Sequence, residues 1–531
     1  VATWKVSNLE LDLDEPEELL AAKLADKLQV TPDVVARTRI LRRSLDARQH
    51  DRIRYVYQIA AELADEAAID ADHLPPNVAR FEAPRFVWPD APGREPLPAR
   101  PVIVGSGPAG LVAAYFLARD GFAPVLIERG GDVKDRVADV RRFDTGGQLD
   151  PESNYLFGEG GAGTFSDGKL TCRMSGPDVD RVLELLVECH GKPSILYDQR
   201  PHLGSNRLPL IVRTLRRKVE ELGGLVRFGC RMEDIELSET GVAAAHTSGG
   251  RIPATVLILA TGHSARDVYE NLVARGVRIT QKPFQFGVRI EQPQAQIDEA
   301  RYGPAAGHPA LEAADYTLAV RAGACDLFTF CMCAGGYVMP SVSEPGHFCT
   351  NGMSESRHDS PFANSGLVIT IDPAQHGADP LAGVRFQQTY ERAAYLAGQE
   401  RYFAPIQRAG DFLAGRPTRG NPISSYPRGV VPFEINTILP RELVEALSRG
   451  LPAMDRVLRR RFLKDATLVA PEARGSSPVR IPRDPETREH PDVRGLFPCG
   501  EGAGYAGGII SAAVDGLRTA RAIAGRFALP S

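Results

Sequence analysis

Val102-Ile103-Val104-Gly105-Ser106-Gly107-Pro108-Ala109-Gly110-Leu111, continuing through Arg119 to Val125-Leu126-Ile127-Glu128-Arg129, is the stretch on which the fold turns. Three apolar residues predict a short buried strand, the glycines a tight turn, Leu111 to Arg119 a helix, and Val125 to Glu128 a second strand. That is a complete βαβ start. Gly105 permits the turn, Gly107 lets backbone approach a pyrophosphate, and Gly110 lets helix and strand pack closely. Ser106, Pro108 and Ala109 complete the turn, and the helix they open presents free amides to phosphate. Glu128, about 20 residues on, stands where a carboxylate accepts hydrogen bonds from ribose hydroxyls, with Arg129 beside it.

The same glycine spacing occurs twice more, at Gly158-Glu159-Gly160-Gly161-Ala162-Gly163 and at Gly502-Ala503-Gly504-Tyr505-Ala506-Gly507. Neither can be a second dinucleotide fold. The first has no following strand that ends in an acid, and the second is followed only by a helix and a tail. Both read as loops that bring backbone close to one long cofactor, with a purely structural glycine loop as the competing reading. FAD fits, because its ribityl chain and isoalloxazine extend well beyond the first βα turn. Its expected contacts in the first of these loops are Gly160, Gly161, Ala162 and Gly163; Thr164, Asp167, Gly168, Lys169, Met232, and Ala260, Thr261 and Gly262 at a strand end, are added by resemblance to known FAD-binding chains. Gly500, Glu501, Gly502, Gly507, Gly508 and Ile509 complete the set, with Glu501 placed to bind a polyol. NAD(P)H, if used, must bind transiently near the flavin.

Around this centre the 531 residues, 43% hydrophobic, suffice for two or three domains. The expected class is α/β: a discontinuous Rossmann-like FAD-binding domain with an inserted α+β substrate or cap domain and a small N-terminal α+β module of ferredoxin-like type. Boundaries fall at 1–97 for the module and its proline-rich linker, 98–264 for the first part of the FAD domain, 265–480 for the insertion, and 481–531 for the returning strand and helix. The module follows a β-α-β-β order, and Arg37, Arg39, Arg42, Arg43, Arg48, Arg52 and Arg54 make it the densest basic stretch. A solvated face of alternating strands is one reading; a docking face for RNA or a protein partner is the other. A net charge of -4 gives no global attraction to nucleic acid or anionic membrane. Eight scattered cysteines and the lack of a long apolar run predict a cytoplasmic protein with reduced thiols.

The turn at Gly105 to Gly110, the Ala260-Thr261-Gly262 strand end and the Gly500-Glu501-Gly502 loop resemble the glutathione-reductase-type FAD superfamily. More closely, Gly158 to Leu170 (GEGGAGTFSDGKL), Asn351 to Arg357 (NGMSESR) and Phe497 to Ser511 (FPCGEGAGYAGGIIS) resemble the large bacterial family of FAD-dependent dehydrogenases. The likeness runs from about Pro98 to the C-terminus, and the N-terminal module is also similar, above all at Arg42-Arg43-Ser44-Leu45-Asp46-Ala47-Arg48. It implies a flavin and leaves the substrate open.

The resemblance also implies that the loop from Gly160 to Lys169 passes close to the flavin and that the insertion covers the ring. Ser166, Asp167 and Lys169 are then the candidate catalytic groups. Lys169 could steady the anionic reduced flavin or could simply pair with an acid on its own loop. Arg357 could clamp a substrate carboxylate or pair with a nearby acid. Cys331 and Cys333 could line one surface of a strand as a dithiol or be small core residues; without a CxxC or Cys/His partner, zinc is not expected there. His263 could contact cofactor or cap a helix. The leading reading is hydride transfer between a small organic substrate and FAD N5, against a flavoprotein that acts on RNA or a protein partner, or an FAD-bound scaffold.

Overall fold

A computed structural model describes residues 3–64, 69 and 73–531. Strands Val102–Val104, Val125–Ile127, Leu225–Arg227 and Leu257–Leu259 join Leu496–Pro498, from the far end of the chain, in one parallel sheet. Its order runs from Leu496–Pro498 through Leu257–Leu259, Val102–Val104 and Val125–Ile127 to Leu225–Arg227. Side chains alternate across each strand. Ile103, Leu126, Ile258 and Phe497 therefore enter the core on one face, and Val102, Val104, Ile127, Leu257 and Leu259 enter the core on the other. Both faces are covered, which is why these strands read as unbroken apolar runs. Helices Pro108–Arg119, Leu208–Glu221 and Ile509–Arg526 pack on the first face. The second carries helix Arg266–Ala274 and the antiparallel sheet of Met232–Ser238, Gly241–Thr247 and Gly250–Pro253.

Between Leu259 and Leu496 the chain builds a second sheet, of seven strands. Its order is Ala319–Arg321, Asp326–Cys333, Phe362–Ile371, Phe284–Pro293, Thr467–Glu472, Ala404–Arg408 and Val430–Pro432. The sequence reads as irregular here, yet Phe284–Pro293 and Phe362–Ile371 are paired antiparallel along their full length. The reason is burial on both faces, combined with polar residues inside: Arg289, Glu291, Gln292, Asn364 and Ser365 are all buried. Neither an alternating pattern nor an apolar run survives.

The N-terminal sheet runs Val35–Asp46, Arg54–Leu63, Thr3–Asp12, Val78–Arg80, antiparallel throughout. Leu20, Leu24 and Leu28 of helix Leu19–Leu28 join Trp4, Val6, Leu9 and Leu11 in its core. The proline-rich segment that follows is not a free spacer. Gly93 donates its amide to Ala524 O at 2.8 Å, Glu95 pairs with Arg526 at 2.6 Å, and Trp88 stacks on Phe116 with ring centroids 5.0 Å apart. The segment is fixed along the parallel-sheet domain.

Candidate flavin site

Gly105, Glu128, Ala260 and Gly500 each follow a parallel strand at its C-terminal end, and all four line one cavity of about 390 Å³. Ligands of open α/β sheets bind at such strand ends. Helices Pro108–Arg119 and Ile509–Arg526 both begin at the cavity, with Gly107 and Gly508 at their N-caps and no side chain capping either. Their first amides are left for a ligand. The opposite wall comes from the seven-stranded sheet and its flanks: Phe330, Cys331, Asn351, Arg474 and Gly475.

Two glycines of the first turn are required by packing. A Cβ on Gly105, which has φ +101°, would lie 2.4 Å from Ala260 O, and one on Gly110 would lie 1.9 Å from Gly105 O. Gly262, Gly507 and Gly508 face open space, where an added Cβ meets nothing within 4 Å. A cavity with bare backbone walls and two uncapped helix starts suits a planar ring system carrying a pyrophosphate.

Most of the residues singled out in the sequence come together. Gly105, Gly107, Pro108, Ala109, Glu128, Arg129, Gly161, Ala162, Gly163, Ser166, Asp167, Gly168, Lys169, Met232, Ala260, Thr261, Gly262, Gly500, Glu501, Gly507, Gly508 and Ile509 all line the cavity. Six do not. Ser106 is buried, and Gly160 donates its amide to the Ser106 carbonyl at 2.9 Å. Gly110 is covered by the turn. Thr164 is buried and donates to Glu159 O at 3.0 Å. Gly502 packs on the 262 loop, where a Cβ would lie 2.4 Å from Gly262 O. Arg357 is exposed, with no ion pair to any described residue, so it clamps nothing in the cavity.

Glu128 also differs from expectation. It is not an exposed strand-end acid: its carboxylate is buried and accepts four hydrogen bonds. Oε2 receives the amide and hydroxyl of Ser106 at 2.9 and 2.8 Å, and Oε1 the amides of Gly130 and Gly158, each at 3.0 Å. Glu128 thus ties the first glycine turn to the second glycine loop. Buried Arg136 holds that second loop from behind, donating to the carbonyls of Asn154, Tyr155 and Glu159 at 2.8 Å each.

Lys169 and Asp167 form the ion pair that the loop composition left as one of two readings, Nζ to Oδ2 at 3.2 Å. The lysine stem borders the cavity while its ammonium is buried. Burial alone would raise the Asp167 carboxyl, but Lys169, His202 and Ser354 together hold it well below the usual carboxylate range. Ser354 Oγ donates to Asp167 and lies 3.1 Å from His202 Nε2, and the rings of His202 and His358 are 4.0 Å apart. Donor atoms of Asp167, His202 and His358 lie within 4.8 Å of one another. Lys169 already neutralises that carboxylate, which leaves little charge for a cation.

Facing this loop, burial pushes Glu501 up to about 7, with Lys282 opposing the shift. His263 Nε2 lies 4.0 Å from Glu501, and burial with Arg474 and Arg266 drives that imidazole down to about 3. His263 is therefore a neutral polar group in the wall. Asn351, Arg474 and His202 were not foreseen as site residues. Their separate segments meet only through tertiary folding; no local spacing announces them.

The cavity, its bare glycine walls and its phosphate-competent helix starts define an FAD-dependent oxidoreductase, and FAD is its cofactor. Residues 283–475 match the family described as FAD-dependent protein, C-terminal domain-like, residues 103–157 an NAD(P)-binding Rossmann-like domain, and residues 4–62 a domain of unknown function. The chain belongs to a family of FAD-dependent oxidoreductases that includes a Clostridium beijerinckii protein described as uncharacterized, 39% identical over 531 residues and covering 99% of each chain. Among solved structures, L-proline dehydrogenase from P. horikoshii aligns at 11% identity over 83% of this chain and 96% of that one, with a TM-score of 0.36. Glycine oxidase from Geobacillus kaustophilus aligns at 12% identity over 81% and 95%, with a TM-score of 0.37.

Proposed function

We propose that the protein transfers a hydride between a small organic substrate and FAD N5. The observation that carries this reading is the two-sided cavity. Its cofactor wall is the glycine loops, and its other wall is Phe330 and Cys331 of the seven-stranded sheet with Asn351 and Arg474 beside it. A ring bound along the glycines would leave its outer face toward that second wall. FAD supplies the two-electron chemistry when bound. The chain supplies the surroundings: Lys169 with Asp167 sets the local charge, and Glu501 near neutrality is suited to hold or release a proton.

In this reading the chain divides into the N-terminal ferredoxin-like module and linker at 1–97, the FAD domain at 98–264 and 481–531, and an inserted cap at 265–480. Strand Leu496–Pro498 in the parallel sheet supports the discontinuous domain. The eight free cysteines support a reducing, cytoplasmic setting, and among the described residues no helix is long and apolar enough to cross a membrane. NAD(P)H is a transient donor if it acts at all.

The test is anaerobic. FAD-loaded protein is mixed with panels of small organic donors and with NAD(P)H, and photoreduced protein with panels of acceptors. Bleaching or recovery of the flavin absorbance by a specific compound is the expected result. A flavin that no donor reduces and no acceptor reoxidises would overturn the proposal.

A further inference from the structure

Strand Asp326–Cys333 does not run regularly to its end. Phe330 pairs with Gly366 but Cys333 pairs with Asn364, so the strand carries one residue more than its partner across this interval. Cys331 takes up the excess with φ +42°, in the left-handed region that residues with a Cβ rarely occupy. In a regular strand the Cα atoms of residues i and i+2 are about 6.6 Å apart. That is close to the upper limit of about 6.8 Å for a disulfide. At the bulge Cys333 Sγ lies 3.3 Å from the Cys331 carbonyl oxygen, so the two residues stand close to one another.

The bulge is held from below. Arg289, fully buried, donates through Nη2 to the Cys331 carbonyl at 2.7 Å and reaches Cys333 Sγ at 3.7 Å. Its Nη1 pairs with buried Glu472 at 2.9 Å and its Nε with Asn364 at 2.9 Å. Gly352 leaves room for it, since a Cβ there would lie 2.3 Å from Arg289 Nη2. The two sulfurs are not equivalent: Cys331 borders the flavin cavity, and Cys333 is wholly buried behind it. Both lie in the field of Lys169 and Arg289, and the Cys331 thiol is held below its usual range by a hydrogen bond from Cys333 and by these cations, whereas burial raises Cys333. By contrast burial pushes Cys349 and Cys499 up to about 12, as expected of inert core thiols.

From this geometry we propose that Cys331 and Cys333 are a redox-active dithiol that exchanges two electrons with the flavin. The proposal rests on the FAD reading and adds a second redox centre to it. When the pair is oxidised, a bond forms between the two sulfurs and both S–H protons are lost. Two electrons and one proton go to FAD, giving the anionic reduced flavin, and the other proton goes to solvent. In the reverse direction the electron pair from reduced flavin breaks the S–S bond and two protons restore the thiols. Cys331, at the cavity, is the sulfur that meets the flavin; Cys333 resolves it.

The experiment counts electrons. Air-oxidised, FAD-loaded protein is titrated anaerobically with dithionite, and samples at each stage are quenched in acid, alkylated and weighed as peptides. Wild type is expected to take four electrons per FAD, with the peptide containing both cysteines passing from unalkylated to doubly alkylated. Cys331→Ser and Cys333→Ser should each take two, and Cys349→Ser should still take four. Wild type that takes only two electrons, with both cysteines alkylated before any reductant is added, overturns the dithiol and leaves the flavin reading intact. Wild type that binds no FAD overturns both. Because the wild-type count and peptide masses decide the matter, variants that fail to fold do not leave it open.

Discussion

Removing the Glu128 carboxylate strands three backbone amides and one hydroxyl in the protein interior. Hydrogen bonds to a charged acceptor contribute about 1.5–3 kcal/mol each at most, and an unsatisfied buried donor costs about 1–3 kcal/mol. Glu128→Gln, which keeps the shape but turns one acceptor into a donor, should therefore destabilise FAD-free protein by at least about 2 kcal/mol and weaken FAD retention as a consequence of loop disorder. Melting of the FAD-free variant separates the two effects: weaker FAD binding with unchanged melting would mean that the carboxylate acts on ribose alone. Lys169 is argued at the same scale. Lys169→Met leaves Asp167 buried without its cation, so uncompensated negative charge faces the cavity. The midpoint potential of bound FAD should fall, and Lys169→Met/Asp167→Asn should restore much of it; spectroelectrochemical titration of the three proteins provides the check.

Helix Ile509–Arg526 crosses helix Pro108–Arg119 at Gly516, where a Cβ would lie 2.1 Å from Ala109 O. Gly516→Ala must push the helices apart, and overpacking of this kind costs about 1–3 kcal/mol. Lower melting together with faster FAD release is expected, since both helices start at the cavity. One residue earlier, Asp515 pairs with Arg483 at 2.7 Å and with Arg488, and accepts the Gly500 amide at 2.7 Å. Burial would raise this carboxyl, yet the two arginines hold it at about 2, below the ordinary 3.8. Its stabilisation is thus present above pH 3.8 and is lost as pH falls toward 2. Asp515→Asn should cost about 3–5 kcal/mol at neutral pH, with the gap to wild type narrowing by about 2 kcal/mol across that acid window in denaturant titrations. The βαβ start was legible because each of its signals is local: an apolar triplet, a glycine turn, an acid at the strand end. The bulge at Cys331 was not, because a left-handed cysteine is enforced by Arg289 and Asn364 from other strands and leaves no mark in residue type. For the same reason the ten-residue strands Phe284–Pro293 and Phe362–Ile371 looked irregular: their buried Arg289, Glu291 and Asn364 serve a polar network that the local sequence does not declare.

At the scale of the molecule, the arginine-rich edge strand divides in two. Arg37, Arg39 and Arg42 are exposed, while Arg43 turns inward to Asp198 at 2.8 Å and lies over Tyr55 and Tyr197. Arg43 also exchanges backbone hydrogen bonds with Tyr197 and Gln199, at 2.8 and 2.9 Å. Arg43→Ala should loosen the module locally, by about 1–3 kcal/mol, and raise hydrogen exchange along Val35–Asp46 while the parallel sheet stays protected. Equal protection in variant and wild type would show that the backbone bonds alone hold the strand.

The same module also touches the chain between Leu259 and Leu496. Tyr55 donates to Ala310 O at 2.7 Å, His308 meets Asp14 at 3.1 Å, and Arg459 meets His50 at 3.0 Å. It is therefore bonded at once to the chain before Leu259, through Tyr197, Asp198 and Gln199, and to the chain beyond it, as a cross-brace is to two sides of a frame. A braced frame does not gape: swinging the seven-stranded sheet away from the FAD loops would have to tear these bonds together. The two sheets are thereby held in one setting relative to each other.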